Sequence, residues 1–208
     1  MTKEDLHKLK ERLSAPLPGW DAQRIMSPIQ TEAYREPTSN AMQAGVLALL
    51  HPNGSGLDLT YIKRPQRNPL DKHSGQVSFP GGKREDSDNS LIDTAIRETH
   101  EEIGINPDDI KILGQLTPLF VYVSNFLVFP SIGYIDYKPK FILQESEVDY
   151  TISTGVEKLI LPQTVQSKDL LIRGFTMRDV PYFALGDEVL WGATAMITSE
   201  FVEIIREL

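Results

Sequence analysis

Arg97-Glu98-Thr99-His100-Glu101-Glu102-Ile103-Gly104-Ile105 is the run on which the reading of this 208-residue chain turns. A helical residue turns about 100°, so Glu98, Glu101 and Glu102, at i, i+3 and i+4, project from one face. Like charges at that spacing repel by roughly a few tenths of a kcal/mol per pair unless a cation lies among them. Carboxylate oxygens are hard ligands, suited to Mg²⁺ or Mn²⁺. On a second stripe, Ile92, Ala95, Ile96, Thr99 and Ile103 make a core face. Arg97 lies one residue before Glu98 and four before Glu101, where its guanidinium can hold a carboxylate in place without removing its charge. Gly104 supplies a stop, and Asp88, Asn89 or Ser90 a cap, which predicts a helix over residues 90–103.

An acidic helix face by itself most often reads as solvated surface. Here a second feature precedes it. Ser78-Phe79-Pro80-Gly81-Gly82-Lys83-Arg84-Glu85 predicts a turn whose glycines leave backbone groups open to close approach by a ligand. Together the turn and the helix resemble the Nudix box, whose pattern is Gly, five residues, Glu, seven residues, Arg-Glu-apolar-any-Glu-Glu-any-Gly-apolar; Gly82, Arg97, Glu98, Glu101, Glu102, Gly104 and Ile105 occupy its positions. Asp88 stands where the first Glu belongs, eight residues rather than seven separate it from Arg97, and Thr99 replaces an apolar residue. The extra residue falls in the loop or first helical turn, where it leaves the later register intact. The shorter Asp88 is not expected to reach a metal directly.

The resemblance implies an α/β fold, a Nudix-like alpha/beta/alpha sandwich with a central mixed sheet. It also implies divalent-metal-dependent hydrolysis of a diphosphate bond in a nucleoside diphosphate derivative. Mg²⁺ or Mn²⁺ is then the cofactor, with Glu98 and Glu102 as ligands and Glu101 either a further ligand or the base that takes the water proton. Arg97 is expected to position the carboxylates. Glu145 or Glu147, in a loop after the central strands, is expected to add a late carboxylate.

A further resemblance lies outside the box. Arg64, then His73-Ser74-Gly75-Gln76-Val77-Ser78-Phe79-Pro80-Gly81-Gly82, is similar to the signature that precedes the box in Nudix enzymes cleaving coenzyme A. Pro181-Tyr182-Phe183 followed by Leu190-Trp191-Gly192-Ala193-Thr194-Ala195 is similar to the end of that branch. These matches span residues 44–208. Pro65 follows Arg64 where Ser or Ala is usual, the spacer is two residues longer, and Asp71 occupies the position of a second Arg, with Arg67 the nearby substitute. The branch implies coenzyme A or acyl-CoA as substrate, with 3′,5′-ADP and 4′-phosphopantetheine, or its acyl form, as products. Gly81, Gly82, His73, Gln76, Lys83 and Arg64 are the expected substrate contacts. Two other readings stay open: a Nudix pyrophosphatase acting on ADP-ribose, NADH or another nucleotide, and a non-catalytic nucleotide-binding module. Trp191 and Phe183 are expected in the core.

Composition sets the bounds. A formal charge of −8 and a pI near 5.0 argue against nucleic acid or an anionic membrane surface as partner, since both usually require a basic patch. The expected partner is a small-molecule nucleotide. Zero cysteines exclude disulfides, thiol catalysis and cysteine-ligated zinc, and fit a reducing cytoplasm. The N-terminus shows mixed charge rather than a signal peptide's apolar segment. Residues 114–135 are uncharged, but Pro118, Pro130 and Ser124-Asn125 interrupt them, and their Val, Phe and Tyr content favours strands over a membrane span.

Along the chain, Leu6, Leu9 and Leu13 predict a helix, and residues 16–40 an irregular connector, so that residues 1–40 pack on a Nudix domain of residues 41–208. Residues 44–50 and 57–64 form a hairpin, with further strands at 76–79, 110–116, 120–123, 127–135, 170–175 and 182–183. Residues 194–207 make a terminal helix. The family resemblance leaves room for a homodimer.

Overall fold

Alternation along one strand organises the molecule. In the computed structural model, which describes residues 1–29, 36–66, 73–172 and 174–208, helix α1 (Asp5–Leu13) and a short α2 (Trp20–Gln23) precede strands β1 (Met42–Pro52) and β2 (Leu57–Lys63). Two brief strands, β3 (Val77–Ser78) and β4 (Gly81–Lys83), lead into helix α3 (Leu91–Ile103). Strands β5 (Lys111–Gln115), β6 (Leu119–Val121), β7 (Phe126–Tyr134) and β8 (Tyr150–Gly155) follow, then a single helical turn, α4 (Val156–Leu159). The chain ends with β9 (Val165–Ile172), β10 (Phe175–Leu185), β11 (Glu188–Trp191) and helix α5 (Gly192–Arg206).

Successive residues of β1 point to opposite faces of the sheet. Leu47 and Leu49 are buried with Ala95, Ile103 and Ile110 beneath α3. Ala48 and Leu50 belong to the other core, with Leu9 of α1, Phe183 of β10, and Phe201 and Ile204 of α5. Burying a side chain the size of Ile103 stabilises the fold by about 2 kcal/mol. β1 runs parallel to β7 and antiparallel to β2 and β4. β3 and β8 pair with β2, and β5 and β6 with β7, giving a mixed sheet of eight strands. β9, β10 and β11 form a separate antiparallel sheet. Helices flank the mixed sheet on both sides, which is the expected alpha/beta/alpha sandwich.

Several local expectations are corrected. The glycine turn is the strand β4, with Gly81 and Gly82 paired to Val46 and Gly45. The stretch expected to be irregular, 16–40, contains α2 and a 3-10 turn over Arg24–Met26 among its described residues, and Met26 is buried in the core. Residues 150–155 form a strand on the edge of β2, and the expected strands at 170–175 and 182–183 are parts of two longer ones. Arg67 and Asp71 lie outside the described residues. The uncharged stretch 114–135 contains β6 and most of β7, and no helix among the described residues is long and apolar enough to cross a membrane.

Candidate active site

Helix α3 is fixed at both ends. The Ser90 hydroxyl accepts from the Asp93 N–H at 3.1 Å, and Gly104, at φ 71°, takes the left-handed C-terminal position. Two facing glycines let this helix approach the sheet. A Cβ on Gly45 would collide with the Leu91 carbonyl, and one on Gly82, its partner across β1 and β4, would collide with the Glu98 carboxylate. Thr99, the polar residue at an apolar box position, is fully buried and donates to the Ala95 carbonyl at 2.6 Å, which satisfies its hydroxyl within the helix.

Arg97 acts as the expected brace. Its Nε and Nη2 each donate to Asp88 at 3.0 Å, and its Nη1 donates to Glu98 and to Glu101, both at 3.0 Å. Nη2 also reaches the Lys83 carbonyl at 3.2 Å. Asp88 is buried and further accepts from the Thr94 hydroxyl and the Glu85 N–H, both at 2.9 Å. The Arg97 fork beside it holds the Asp88 carboxyl well below the usual carboxylate range, and Asp88 in turn raises the Arg97 pKa. The residue that departs from the box therefore anchors the arginine.

The carboxylates do not converge as the expected trio. Glu98, Glu102 and Glu147 each offer an oxygen such that all three lie within 4.8 Å of one another. Glu101 instead keeps 52% side-chain exposure and leans on Arg97. Glu147 arrives on the loop after β7, docked on the end of α3 by Gln144 N–H to Glu102 carbonyl at 3.0 Å and Ile142 N–H to Ile103 carbonyl at 3.1 Å. Of the two late acidic residues read in the sequence, the fold brings Glu147 to the cluster. Glu102 is 1% exposed; burial pushes its pKa up to about 8, against the Gly81 N–H at 2.9 Å and the Arg64 guanidinium at 3.5 Å. Burial also raises Glu98, opposed by Arg97 and reinforced by Glu101 and Glu147. Three hard oxygen donors at this spacing suit Mg²⁺ or Mn²⁺, whose ligands stand about 2.1 Å from the ion.

Behind Gly81 and Gly82 opens a cavity of about 520 Å³ on the α5 side of the sheet. All six expected substrate contacts line it: Arg64, His73, Gln76, Gly81, Gly82 and Lys83. His73 Nδ1 lies 3.1 Å from the Gln76 side-chain oxygen. The remaining wall is mostly apolar and includes Phe120, Val128 and Met196. Trp191, expected in the core, lines this cavity, whereas Phe183 is buried as expected. Trp20 also lines it, and nothing in the local sequence marks that role.

The chain is similar to known proteins in sequence and in fold. A family model described as the NUDIX domain matches residues 41–167. A protein of Pectobacterium atrosepticum named Uncharacterized Nudix hydrolase NudL is 40% identical over 122 residues, covering 58% of this chain and 60% of that protein. One of the same name from Yersinia enterocolitica is 38% identical over 171 residues, covering 82% of this chain and 87% of its own. Among solved structures, a Nudix hydrolase from M. smegmatis, RenU, superposes with a TM-score of 0.56 at 12% identity, covering 86% of this chain and 97% of that one. At that identity the likeness speaks for the fold.

Proposed function

The chain belongs to the NUDIX domain family, and on that premise we propose that it hydrolyses the diphosphate of coenzyme A or acyl-CoA with Mg²⁺ or Mn²⁺. The products are 3′,5′-ADP and 4′-phosphopantetheine or its acyl form. One observation carries the choice of substrate. The two sequence segments that resemble the coenzyme A branch, 73–82 and 190–195, lie more than 100 residues apart, yet His73, Gln76, Trp191, Gly192 and Thr194 line the same cavity. That cavity borders the carboxylates through Gly81, whose N–H binds Glu102, and through Gly82, packed on Glu98.

Glu98, Glu102 and Glu147 hold the cation in this reading. Bound there, a divalent cation supplies charge neutralisation at the diphosphate and a water of lowered pKa. Arg97, tied down by Asp88, keeps Glu98 and Glu101 in register with each other. Glu101, half exposed at the edge of the cluster, takes the water proton. The water oxygen bonds to phosphorus, and the anhydride P–O bond breaks with its electron pair leaving on the departing phosphate oxygen. Arg64 and Lys83 offset phosphate charge, while the linked His73 and Gln76 orient the substrate. The cysteine-free chain suits a reducing cytoplasm.

The test is product identification by mass spectrometry after incubation with coenzyme A, ADP-ribose or NADH and either metal. Release of 3′,5′-ADP and 4′-phosphopantetheine at the highest rate is expected; faster cleavage of ADP-ribose or NADH overturns the substrate assignment. Glu102→Gln, with folding verified, is expected to abolish turnover at saturating Mg²⁺. Near-normal activity overturns its role as a ligand.

A further inference from the structure

The hairpin of β9 and β10 changes character along its length. At its base β10 is paired on both sides, with β9 and, over residues 182–185, with β11, and its Val180 and Phe183 are each 1% exposed. Toward the tip only β9 and β10 pair with each other, and none of residues 169–172 and 175–179 is buried. Between base and tip the ladder breaks. Met177 pairs with Leu170 and Val180 with Lys168, so Arg178 and Asp179 together oppose the single residue Asp169. Asp179 takes a positive φ of 52° there, and its N–H donates to the Asp169 carboxylate at 3.1 Å. Such an extra residue is a bulge, which bends the strand that holds it. A two-stranded ribbon beyond a bulge, with no buried side chain, is the part of a sheet that opens and bends at least cost.

The tip borders the cavity, since Ile172 and Met177 line it. Residues directly opposite each other in an antiparallel pair share a face, as do residues two apart along a strand. Phe175 is opposite Ile172 and two residues before Met177, so it stands on that same face, yet it is 78% exposed. Leu171, opposite Thr176, stands on the other face and is 76% exposed. The cavity wall thus runs on, past Ile172 and Met177, to an aromatic side chain that solvent covers.

We infer that the hairpin tip, residues 170–172 and 175–177, is a flap that bends at the bulge and closes over a ligand in the cavity, bringing Phe175 against it. This rests on the reading of the cavity as the substrate site, and it adds Phe175 to the residues that bind there. A ligand filling the cavity meets Ile172 and Met177, and a rotation of the ribbon carries the next apolar side chain of the same face onto it. Removing that ring from water favours the closed position only when a ligand is present to receive it.

The chain has no cysteine, so single introduced thiols report the closure. Phe175→Cys and Leu171→Cys are both at exposed positions and carry no risk to folding. Their alkylation would be timed in EDTA with acetyl-CoA or ADP-ribose, neither of which brings a free thiol. Saturation is read from the fluorescence of Trp20 and Trp191, which line the cavity. Bound ligand is expected to slow alkylation of Phe175→Cys about 10-fold, as a flap closed in about nine-tenths of the molecules would, and to leave Leu171→Cys unchanged. By the same fluorescence, Phe175→Ala is expected to weaken binding about 10-fold and Leu171→Ala to leave it as it was. Unchanged alkylation of Phe175→Cys at saturation, equal slowing of both thiols, or equal effects of the two alanine variants overturns the flap. Slowing that follows protein concentration rather than ligand assigns the face to a second copy of the chain and overturns it as well. Protection by ADP-ribose where acetyl-CoA does not bind keeps the flap and overturns the coenzyme A reading; binding of neither ligand overturns both.

Discussion

At Gly82 the backbone runs so close to the Glu98 carboxylate that a Cβ would collide with it. Gly82→Ala should therefore displace Glu98 while leaving the strand formed, and weaken metal binding by about 10- to 100-fold; isothermal titration with Mn²⁺ checks it. Asp88 lends itself to a pH test. A folded-state pKa held below the usual value contributes stability that is present above about pH 3.9 and lost as pH falls through the folded value. Asp88→Asn has no such contribution to lose, so it should melt below the unaltered protein near about pH 7, with the gap narrowing toward about pH 2 in thermal melts. The role of Asp88 was not legible from the box, because a shortened acidic residue reads as a weakened ligand until its bidentate contact with Arg97 is seen. Glu147 was legible only as one of a pair. Its selection over Glu145 comes from the backbone bonds that dock residues 142–144 on α3.

Helix α3 was readable to within a residue, since its cap, stripe and stop are all local chemistry. Ser90→Ala should lower stability by about 1 kcal/mol in urea denaturation, the usual cost of a lost N-cap. At the other terminus, an alanine at Gly104 meets both a strained φ of 71° and the Ile142 side chain, so Gly104→Ala should lose more than the cap variant. Because Ile142 belongs to the loop that delivers Glu147, that variant should also weaken Mn²⁺ binding, whereas Ser90→Ala should not. β8 escaped the sequence reading for a definite reason. Tyr150-Thr151-Ile152-Ser153-Thr154-Gly155 carries one aliphatic side chain, Ile152, which packs against the core, and its strand form depends on pairing with β2. β4 escaped because paired glycines carry no hydrophobic pattern at all.

Across the whole molecule, the N-terminal segment and the last helix are joined to the sheet through Glu200. Glu200→Ala would leave the Gly19 and Thr117 N–H groups without their acceptor and the Gln23 amide with the Thr117 carbonyl alone, and should destabilise the fold by about 3 kcal/mol. Limited proteolysis should then cut within residues 14–29 first. The cavity was not legible in advance because its walls come from Trp20, Gln76, Phe120 and Trp191, brought together by chain crossings that no local pattern encodes. Strand β1 has a consequence of its own. Ala44 and Val46 face the cavity, while Gly45 between them lies under α3 beside the carboxylates' helix. On the proposed reading of the site, one strand works as a tape with two tracks, the even positions shaping what is held and the odd position keeping room for the helix that carries the carboxylates. A substitution at Ala44 would then retune ligand choice without entering the second track.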